Sequence, residues 1–188
     1  LPFDIYSVNV HTGAKRLIGR SYRTAPKWSV NGKWAVMYDP IAQVWNKFDG
    51  ATGKVVNISD AIGYPMFMES YDKPAPAPAY GIAGWTADGN NVFLYDAYDW
   101  WKIDLTGERQ PECLTKGYGR KHGKSIRKMT SNIDKDVFQK DEKVIVSLWD
   151  KDTMDEGVYQ LDMKGRLRKL MEGNYVYTIH RFSDNHEY

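Results

Sequence analysis

The chain has 188 residues, of which 42% are hydrophobic and 27% charged, a composition typical of a folded globular protein rather than a disordered segment. Its formal net charge of +2 is too small to indicate binding to nucleic acid or to an anionic membrane surface. The single cysteine, Cys113, excludes a disulfide within the chain and a cysteine-rich zinc site. No apolar run approaches the roughly 18 residues of a transmembrane helix, so we expect no membrane insertion.

Short apolar segments follow one another along the chain, each bounded by Gly, Asn or Asp. In chain order they are DIYSVNV, KWAVMYD, NVFLYD, KVIVSLWD and GVYQLDM. Their alternating pattern and their β-branched and aromatic residues predict strands, and no stretch of useful length has helical periodicity. The sequence therefore predicts an antiparallel all-β domain.

These strands belong to a repeated unit. WSVNGKWAVMYD at 28–39 matches WTADGNNVFLYD at 85–96, with Asn31-Gly32 aligned on Asp88-Gly89. Both dipeptides suit a tight hairpin because their central residues adopt positive φ readily. Each copy continues into an aromatic residue, an Asp and a Gly at similar spacing. The same series recurs at 141–170, and a truncated copy with Tyr6, Asn9 and Gly13 opens the chain.

A repeated unit of four antiparallel strands over about 40–60 residues is typical of a β-propeller blade. We expect a single fragment of a propeller domain, with about three to four blades: 1–20 (partial), 25–60, 80–115, 135–172 and the start of another at 173–188. The opening sequence LPFDIYSVNV has no initiator Met, which favours an excised fragment. A propeller ring needs about 4–8 blades. We therefore expect open blade faces that could mediate self-association.

The repeat also separates packing residues from candidate contacts. Aromatic residues at equivalent positions are expected in the core, and these are Trp28, Tyr38, Trp45, Trp85, Tyr95 and Trp101. Tyr98 and Trp100 are extra to the repeat and are expected at a surface or pore. Asp39, Asp96 and Asp150 recur and favour turn capping over a catalytic ring of carboxylates. The run YDKPAPAPAY (71–80) is interpreted as a stiff connection, with recognition by a peptide-binding partner as the alternative.

No catalytic, metal or cofactor site is predicted. The four histidines are His11, His122, His180 and His186, and no Gly-x-Ser-x-Gly elbow accompanies them. The glycine spacing of GYGRKHGKS (117–125) does not fit a phosphate loop. We interpret the basic segment 116–128 as a solvated loop in which Arg120 is a possible substrate contact. Asp150 and Asp152 could bind a metal loosely at a hairpin tip, but a surface turn is favoured.

The segment YGIAGWTADGNNVFLYDAYDWWKIDLTG (80–107), followed by LTKGYGRKHGKSIR (114–127), resembles the propeller of prolyl oligopeptidase family serine peptidases of the dipeptidyl-peptidase-like type found in Bacteroidetes-type bacteria. The resemblance covers roughly residues 25–175. In this family the propeller filters substrates before a C-terminal α/β-hydrolase domain, which carries a Ser–His–Asp triad. No stretch of this chain matches that hydrolase domain.

The resemblance implies a non-catalytic propeller portion that shapes substrate access. Its partners would be the hydrolase domain of the same parent chain and the peptide substrate. Tyr98, Trp100 and Arg120 are the candidate contacts, and the implied location is periplasmic or secreted in a Gram-negative bacterium. The alternatives are a free-standing propeller-like scaffold that binds a protein or glycan, and a propeller enzyme with carboxylates in its channel.

Overall fold

The computed structural model describes residues 1–129 and 136–178. Strands make up 46% of these described residues and helices 4%, so the prediction of a mainly antiparallel β protein is confirmed. Within the described ranges, no helix combines the length and the apolar character needed to cross a bilayer.

The elements follow one another with short connections. The first eight are β1 (Phe3–Val8), β2 (Lys15–Tyr22), β3 (Lys27–Trp28), β4 (Trp34–Asp39), β5 (Val44–Asp49), β6 (Val55–Asn57), the 3-10 helix η1 (Asp60–Ile62) and β7 (Ile82–Thr86). The others are β8 (Asn91–Tyr95), β9 (Trp100–Asp104), β10 (Glu112–Cys113), α1 (Tyr118–Lys121), β11 (Lys124–Lys128), β12 (Val137–Phe138), β13 (Lys143–Asp150), β14 (Glu156–Asp162) and β15 (Leu167–Gly173).

Across residues 1–129 and 136–178, the strands form four separate sheets, none of which closes on itself. The first sheet pairs β1 with β2, and the second has the order β3-β4-β5-β6. The third has the order β10-β9-β8-β7-β12, and the fourth β11-β13-β14-β15. Among the described strands, every pairing is antiparallel except that of β12 with β7, which is parallel. The second sheet lies within the predicted unit 25–60, and the antiparallel part of the third lies within 80–115.

The fourth sheet differs from the predicted unit 135–172. Its first strand, β11, comes from 124–128, while β12 at 137–138 extends the preceding sheet instead. The interpretation of 116–128 as a solvated loop is therefore wrong. Ile126 is fully buried and the Lys128 side chain is only 4% exposed, because β11 pairs along its whole length with β13.

Side-chain carboxylates close the turns, as the repeat predicts. Asp39 accepts hydrogen bonds from the backbone N–H groups of Ile41 and Ala42, and Asp150 accepts them from Asp152 and Thr153. Asp96 makes the equivalent bonds to Tyr98 and Asp99. The preference for turn capping is confirmed for all three acids, since each one satisfies backbone donors that a tight turn leaves unpaired.

Three apolar clusters hold the sheets face to face. Ile5 and Tyr22 of the first sheet pack with Phe48 of the second. The cluster between the second and third sheets contains Trp34, Tyr38, Trp45, Trp85 and Trp101. The cluster between the third and fourth contains Phe93, Tyr95, Trp100, Phe138 and Tyr159. The predicted packing role is confirmed for five of the six repeated aromatics.

Trp28 is the exception, and its prediction as a core residue is wrong. Its side chain is 55% exposed and makes an edge contact with Phe48 at 6.4 Å between ring centroids. The first sheet has only two strands, and they cover Met37 and Phe48 but leave Trp28 in contact with solvent.

An ion-pair cluster joins the two outer strands of the fourth sheet and makes its stability depend on pH. Glu172 accepts hydrogen bonds from Lys124 Nζ at 2.6 Å and Lys169 Nζ at 2.9 Å, and these contacts lower its pKa from 4.5 to about 2. A carboxylate with a lowered pKa in the folded state stabilises the fold above its unfolded pKa, and the contribution is lost as the pH falls towards 2. Because the cluster is partly exposed, solvent screening reduces the effect.

We expect Glu172→Gln to lower the free energy of unfolding by about 1 kcal/mol at pH 6 and to change it little near pH 2. Urea denaturation at several pH values measures this difference. Glu108→Gln, in an exposed turn, is the matched control. An equal effect of Glu172→Gln at pH 6 and pH 2 would contradict the linkage.

Candidate functional site

The residues 96–99, between β8 and β9, form the base of the candidate site. Asp96 is fully buried, and its Oδ1 accepts hydrogen bonds from Tyr98 N at 2.7 Å and Asp99 N at 2.6 Å. Its Oδ2 accepts from Trp101 Nε1 at 3.0 Å and from Arg120 Nη2, also at 3.0 Å. The buried carboxylate therefore has four donors, which compensate the loss of hydration.

Asp99 fixes the short helix α1 to this turn. Its Oδ1 accepts from Thr115 Oγ1 at 2.6 Å and from Gly119 N at 2.9 Å, and its Oδ2 accepts from Arg120 N at 3.0 Å. The side chain is buried, and the first turn of a helix has free N–H groups that an acid can satisfy. Asp99 thereby fixes the backbone position of Arg120, from which its side chain extends.

The Arg120 guanidinium is held by one ion pair and two aromatic rings. Besides its bond to Asp96, it lies over the ring of Tyr64 at 3.9 Å and over that of Tyr98 at 5.0 Å. Burial by itself would lower the pKa of Arg120, but the hydrogen bond and negative charge of Asp96 raise it above the ordinary value. The side chain remains 31% exposed, so this fixed positive charge is accessible from solvent.

A second guanidinium, that of Arg127, forms hydrogen bonds to the backbone of the same turn. Arg127 donates to the backbone oxygen of Asp96 at 2.7 Å and to that of Ala97 at 3.2 Å, and it lies 4.7 Å from the Tyr95 ring centroid. Burial lowers its pKa, and nearby Tyr95 and Asp96 oppose that effect. Arg127 is thus a structural cation, whereas Arg120 is the exposed one.

Arg120 lines a cavity of about 410 Å³, together with Tyr64, Asp99, Trp101, Cys113 and Lys121. We call it the Arg120 cavity. Its buried acids are occupied by protein donors, which leaves little capacity to act as a general acid or base. Burial raises the pKa of the Cys113 thiol, and Gly117 N, which donates to its sulfur, only partly offsets this. A protonated, half-buried thiol is a poor nucleophile.

The three predicted contact residues have different positions. Tyr98 and Arg120 lie together, and Lys151 Nζ also lies over the Tyr98 ring, 4.0 Å from its centroid. The placement of Trp100 at a surface or pore is wrong. Its side chain is fully buried, and its Nε1 donates to Ile126 O at 3.2 Å. Trp100 joins the third sheet to the fourth.

The sequence did not indicate three other members of this site. Tyr64 lies in an irregular segment with no counterpart in the repeat, and Arg127 lies in the segment interpreted as a loop. Asp99 ends the DAYD sequence that begins at Asp96. The other copies of the repeat have no acid at this position, and that difference could have marked Asp99 as a functional residue.

Nothing in the described part of the chain assembles a triad. The side chains of His11 and His122 make no hydrogen bond to a serine, a threonine or a carboxylate within residues 1–129 and 136–178, and His122 stacks on Tyr118 at 4.3 Å. His180 and His186 lie outside the described residues. Over those same ranges, no group of three or more His, Cys, Asp or Glu has the arrangement of a metal site.

Comparison with protein-family models gives no match, and a search of the curated proteins finds no relative of this chain. The described fold is a set of open, mainly antiparallel β-sheets with a buried acidic turn and an exposed arginine stacked on two tyrosine rings.

Proposed function

We propose that this chain is a non-catalytic part of a β-propeller from a serine peptidase of the prolyl oligopeptidase family. In the parent protein it shapes the access of peptide substrates to an α/β-hydrolase domain of the same chain, in the periplasm or outside the cell. The proposal is supported by the sequence motifs at 80–127 and by the second, third and fourth sheets, each of which contains four antiparallel strands in chain order and which stack face to face.

The exposed faces of the two terminal sheets support a propeller interpretation. Phe3, Tyr6 and Val8 of β1 are 41–52% exposed, and Leu170 and Met171 of β15 are 41% and 49% exposed. Propeller blades bury such residues against neighbouring blades, and an isolated piece would bury them against a second copy. Self-association of the 188-residue chain is the corresponding expectation.

The observation that carries the role in substrate access is the Arg120 cavity. The Arg120 guanidinium donates one hydrogen bond to Asp96 and lies over the rings of Tyr64 and Tyr98. Its remaining N–H groups make no hydrogen bond within the described ranges. A guanidinium held in this way presents preorganised donors to a carboxylate or a peptide carbonyl. Tyr98 and Tyr64 provide apolar surface beside it.

We expect Arg120→Gln to raise KM for peptidyl-nitroanilide substrates about tenfold in the full-length parent protein and to leave kcat nearly unchanged. A contact made equally in the ground state and the transition state has this signature. Arg109→Gln, which removes an exposed arginine outside the cavity, is the matched control, and thermal denaturation verifies that both variants fold. Equal KM values for the two variants would rule out Arg120 as a substrate contact.

The peptidase assignment has a separate test. A fluorophosphonate probe should label the full-length parent protein at a Gly-x-Ser-x-Gly serine and should leave residues 1–188 unlabelled. A parent gene without such an elbow would refute the assignment.

The second candidate is a scaffold that binds a glycan. Tyr64 favours it, because its ring is 45% exposed beside Trp101, at 6.0 Å between centroids, and aromatic surfaces of this kind stack on sugars. A chain that sediments as a stable monomer and binds an oligosaccharide array through Tyr64 would favour this function over the peptidase role.

A further inference from the structure

The connection between β3 and β4 of the second sheet contains the one Asn-Gly dipeptide of the sequence, Asn31-Gly32. Asparagine followed by glycine is the dipeptide most prone to deamidation, because glycine has no side chain to hinder attack of its backbone nitrogen on the asparagine amide. Both residues are exposed, so water reaches the dipeptide. The proposed peptidase function does not involve it.

The Asn31 side chain is held at both ends of its amide. Its Oδ1 accepts from Ser29 Oγ at 2.8 Å and from Lys33 N at 3.1 Å, within its own turn. Its Nδ2 donates to Asp88 O at 2.9 Å and to Asn90 Oδ1 at 3.3 Å, both in the connection between β7 and β8. A backbone N–H on one side and a backbone carbonyl on the other fix which amide atom is oxygen. The amide therefore joins the second sheet to the third.

Gly89 allows the two connections to touch. A Cβ atom at Gly89 would lie 2.7 Å from Asn31 N and 2.8 Å from Asn31 Cγ. These distances are well inside the roughly 3.5–4.0 Å of ordinary packing, so only glycine fits at this contact. The close approach and the four hydrogen bonds together oppose rotation of the Asn31 amide.

Deamidation requires an arrangement that this contact prevents. The Gly32 nitrogen forms a bond to Asn31 Cγ, the bond from Cγ to Nδ2 breaks, and the amide nitrogen leaves with the Gly32 proton as ammonia. Water then opens the cyclic imide to aspartate or isoaspartate. In the folded chain Gly32 N instead donates to Ser29 O at 2.9 Å. The turn must therefore open, and Asn31 must leave its partners, before the new bond forms.

We propose that Asn31 is a deamidation site controlled by the contact between the second and third sheets. Stacked sheets protect the amide, and separation of the sheets exposes it to reaction. The product then weakens the stacking, because a carboxylate at position 31 has no N–H to donate to Asp88 O or Asn90 Oδ1 and places a negative charge against these acceptors. Isoaspartate also lengthens the backbone of the turn.

Incubation of the 188-residue chain at mildly alkaline pH tests the protection. An isoaspartate-specific methyltransferase assay with peptide mass spectrometry measures the product at Asn31. The folded chain should react at least about tenfold more slowly than the chain in urea, since local opening must precede the chemistry. A synthetic peptide of residues 28–35 gives the intrinsic rate in each solvent. Equal rates for the folded and the unfolded chain would overturn the proposal.

Gly89→Ala tests the role of the third sheet. The added methyl group displaces Asn31, so the folded variant should deamidate about tenfold faster than the unsubstituted chain. Gly13→Ala is the matched control, because Gly13 also has a positive φ, of 71°, but a Cβ there meets nothing within 4 Å. Asn90→Ala removes one acceptor at a position without positive φ and should raise the rate as well. Circular dichroism verifies folding, and unchanged rates in Gly89→Ala and Asn90→Ala would contradict control by the sheet contact.

Asn31→Asp reproduces the charge of the product. It should lower the urea midpoint and the hydrogen-exchange protection of β4 and β7, because the bonds that join the two sheets are lost. Asn174→Asp adds the same charge at an exposed position outside the contact and should change neither. If the two variants had the same midpoint, the proposed effect of the product on stacking would be wrong.

Discussion

Replacement of Asp96 by alanine is expected to lower the free energy of unfolding by about 3–5 kcal/mol, because it leaves a charged partner and several buried donors without an acceptor. Asp96 accepts from two backbone N–H groups, the Trp101 indole and the Arg120 guanidinium, and it is fully buried. Urea denaturation followed by circular dichroism measures the change as a lower midpoint with an unchanged m value.

Asp39→Ala is the matched control for this prediction. Asp39 occupies the equivalent turn but accepts only from the backbone N–H groups of Ile41 and Ala42 and remains partly exposed. Its loss should cost about 1 kcal/mol, the usual net value of such bonds. Similar losses for the two variants would show that the Arg120 pair contributes nothing beyond closing the turn. Asp96→Ala should also free the Arg120 side chain and weaken any ligand that the Arg120 cavity binds.

Trp100→Ala is expected to cost about 3–5 kcal/mol, since it opens a cavity in the interface between the third and fourth sheets. The ring contacts Phe93, Tyr95 and Phe138 at centroid distances of 5.3–6.4 Å. The truncation also removes the hydrogen bond from Trp100 Nε1 to Ile126 O, on the first strand of the fourth sheet. Chemical denaturation should show a large loss, and the fourth sheet should lose hydrogen-exchange protection first.

Trp28→Ala provides the comparison with the same change of side chain. Trp28 is 55% exposed and packs against one ring, so its truncation should cost about 1 kcal/mol. If both tryptophan variants lost the same stability, the assignment of Trp100 to the interface and of Trp28 to the surface would be incorrect.

The two large effects concern one structural unit. The acidic turn 96–99 places the Tyr98 ring beside the Arg120 guanidinium and leads directly into Trp100, which packs between the third and fourth sheets. Along β9 the side chains alternate between the two faces of the sheet, so Trp100 packs towards the fourth sheet and Trp101 towards the second. The candidate site is therefore built on a rigid part of the core rather than on a free loop.

Local patterns in the sequence determined the β class, most strand positions and the turns. The Asn-Gly and Asp-Gly dipeptides lie in the connections 29–33 and 87–90, where Gly32 and Gly89 have φ of 69° and 68° but Asn31 and Asp88 do not take the positive φ expected of a tight hairpin. The recurring acids close their turns as predicted. These features depend on residues within a few positions of one another, so they are present in the sequence before any sheet is assembled. The number of propeller blades and the peptidase function remain predictions.

Only the tertiary structure decided which sheets the weakly predicted strands β11 and β12 join and which aromatic residues are buried. The basic residues of 124–128 gave no strand signal, yet pairing with β13 and the aromatic contacts of Arg127 compensate their burial. Arg120 binds Asp96, which lies 24 residues before it, and stacks on Tyr64 from a separate irregular segment. Such contacts depend on how the sheets stack, a long-range property that short-range spacing does not encode.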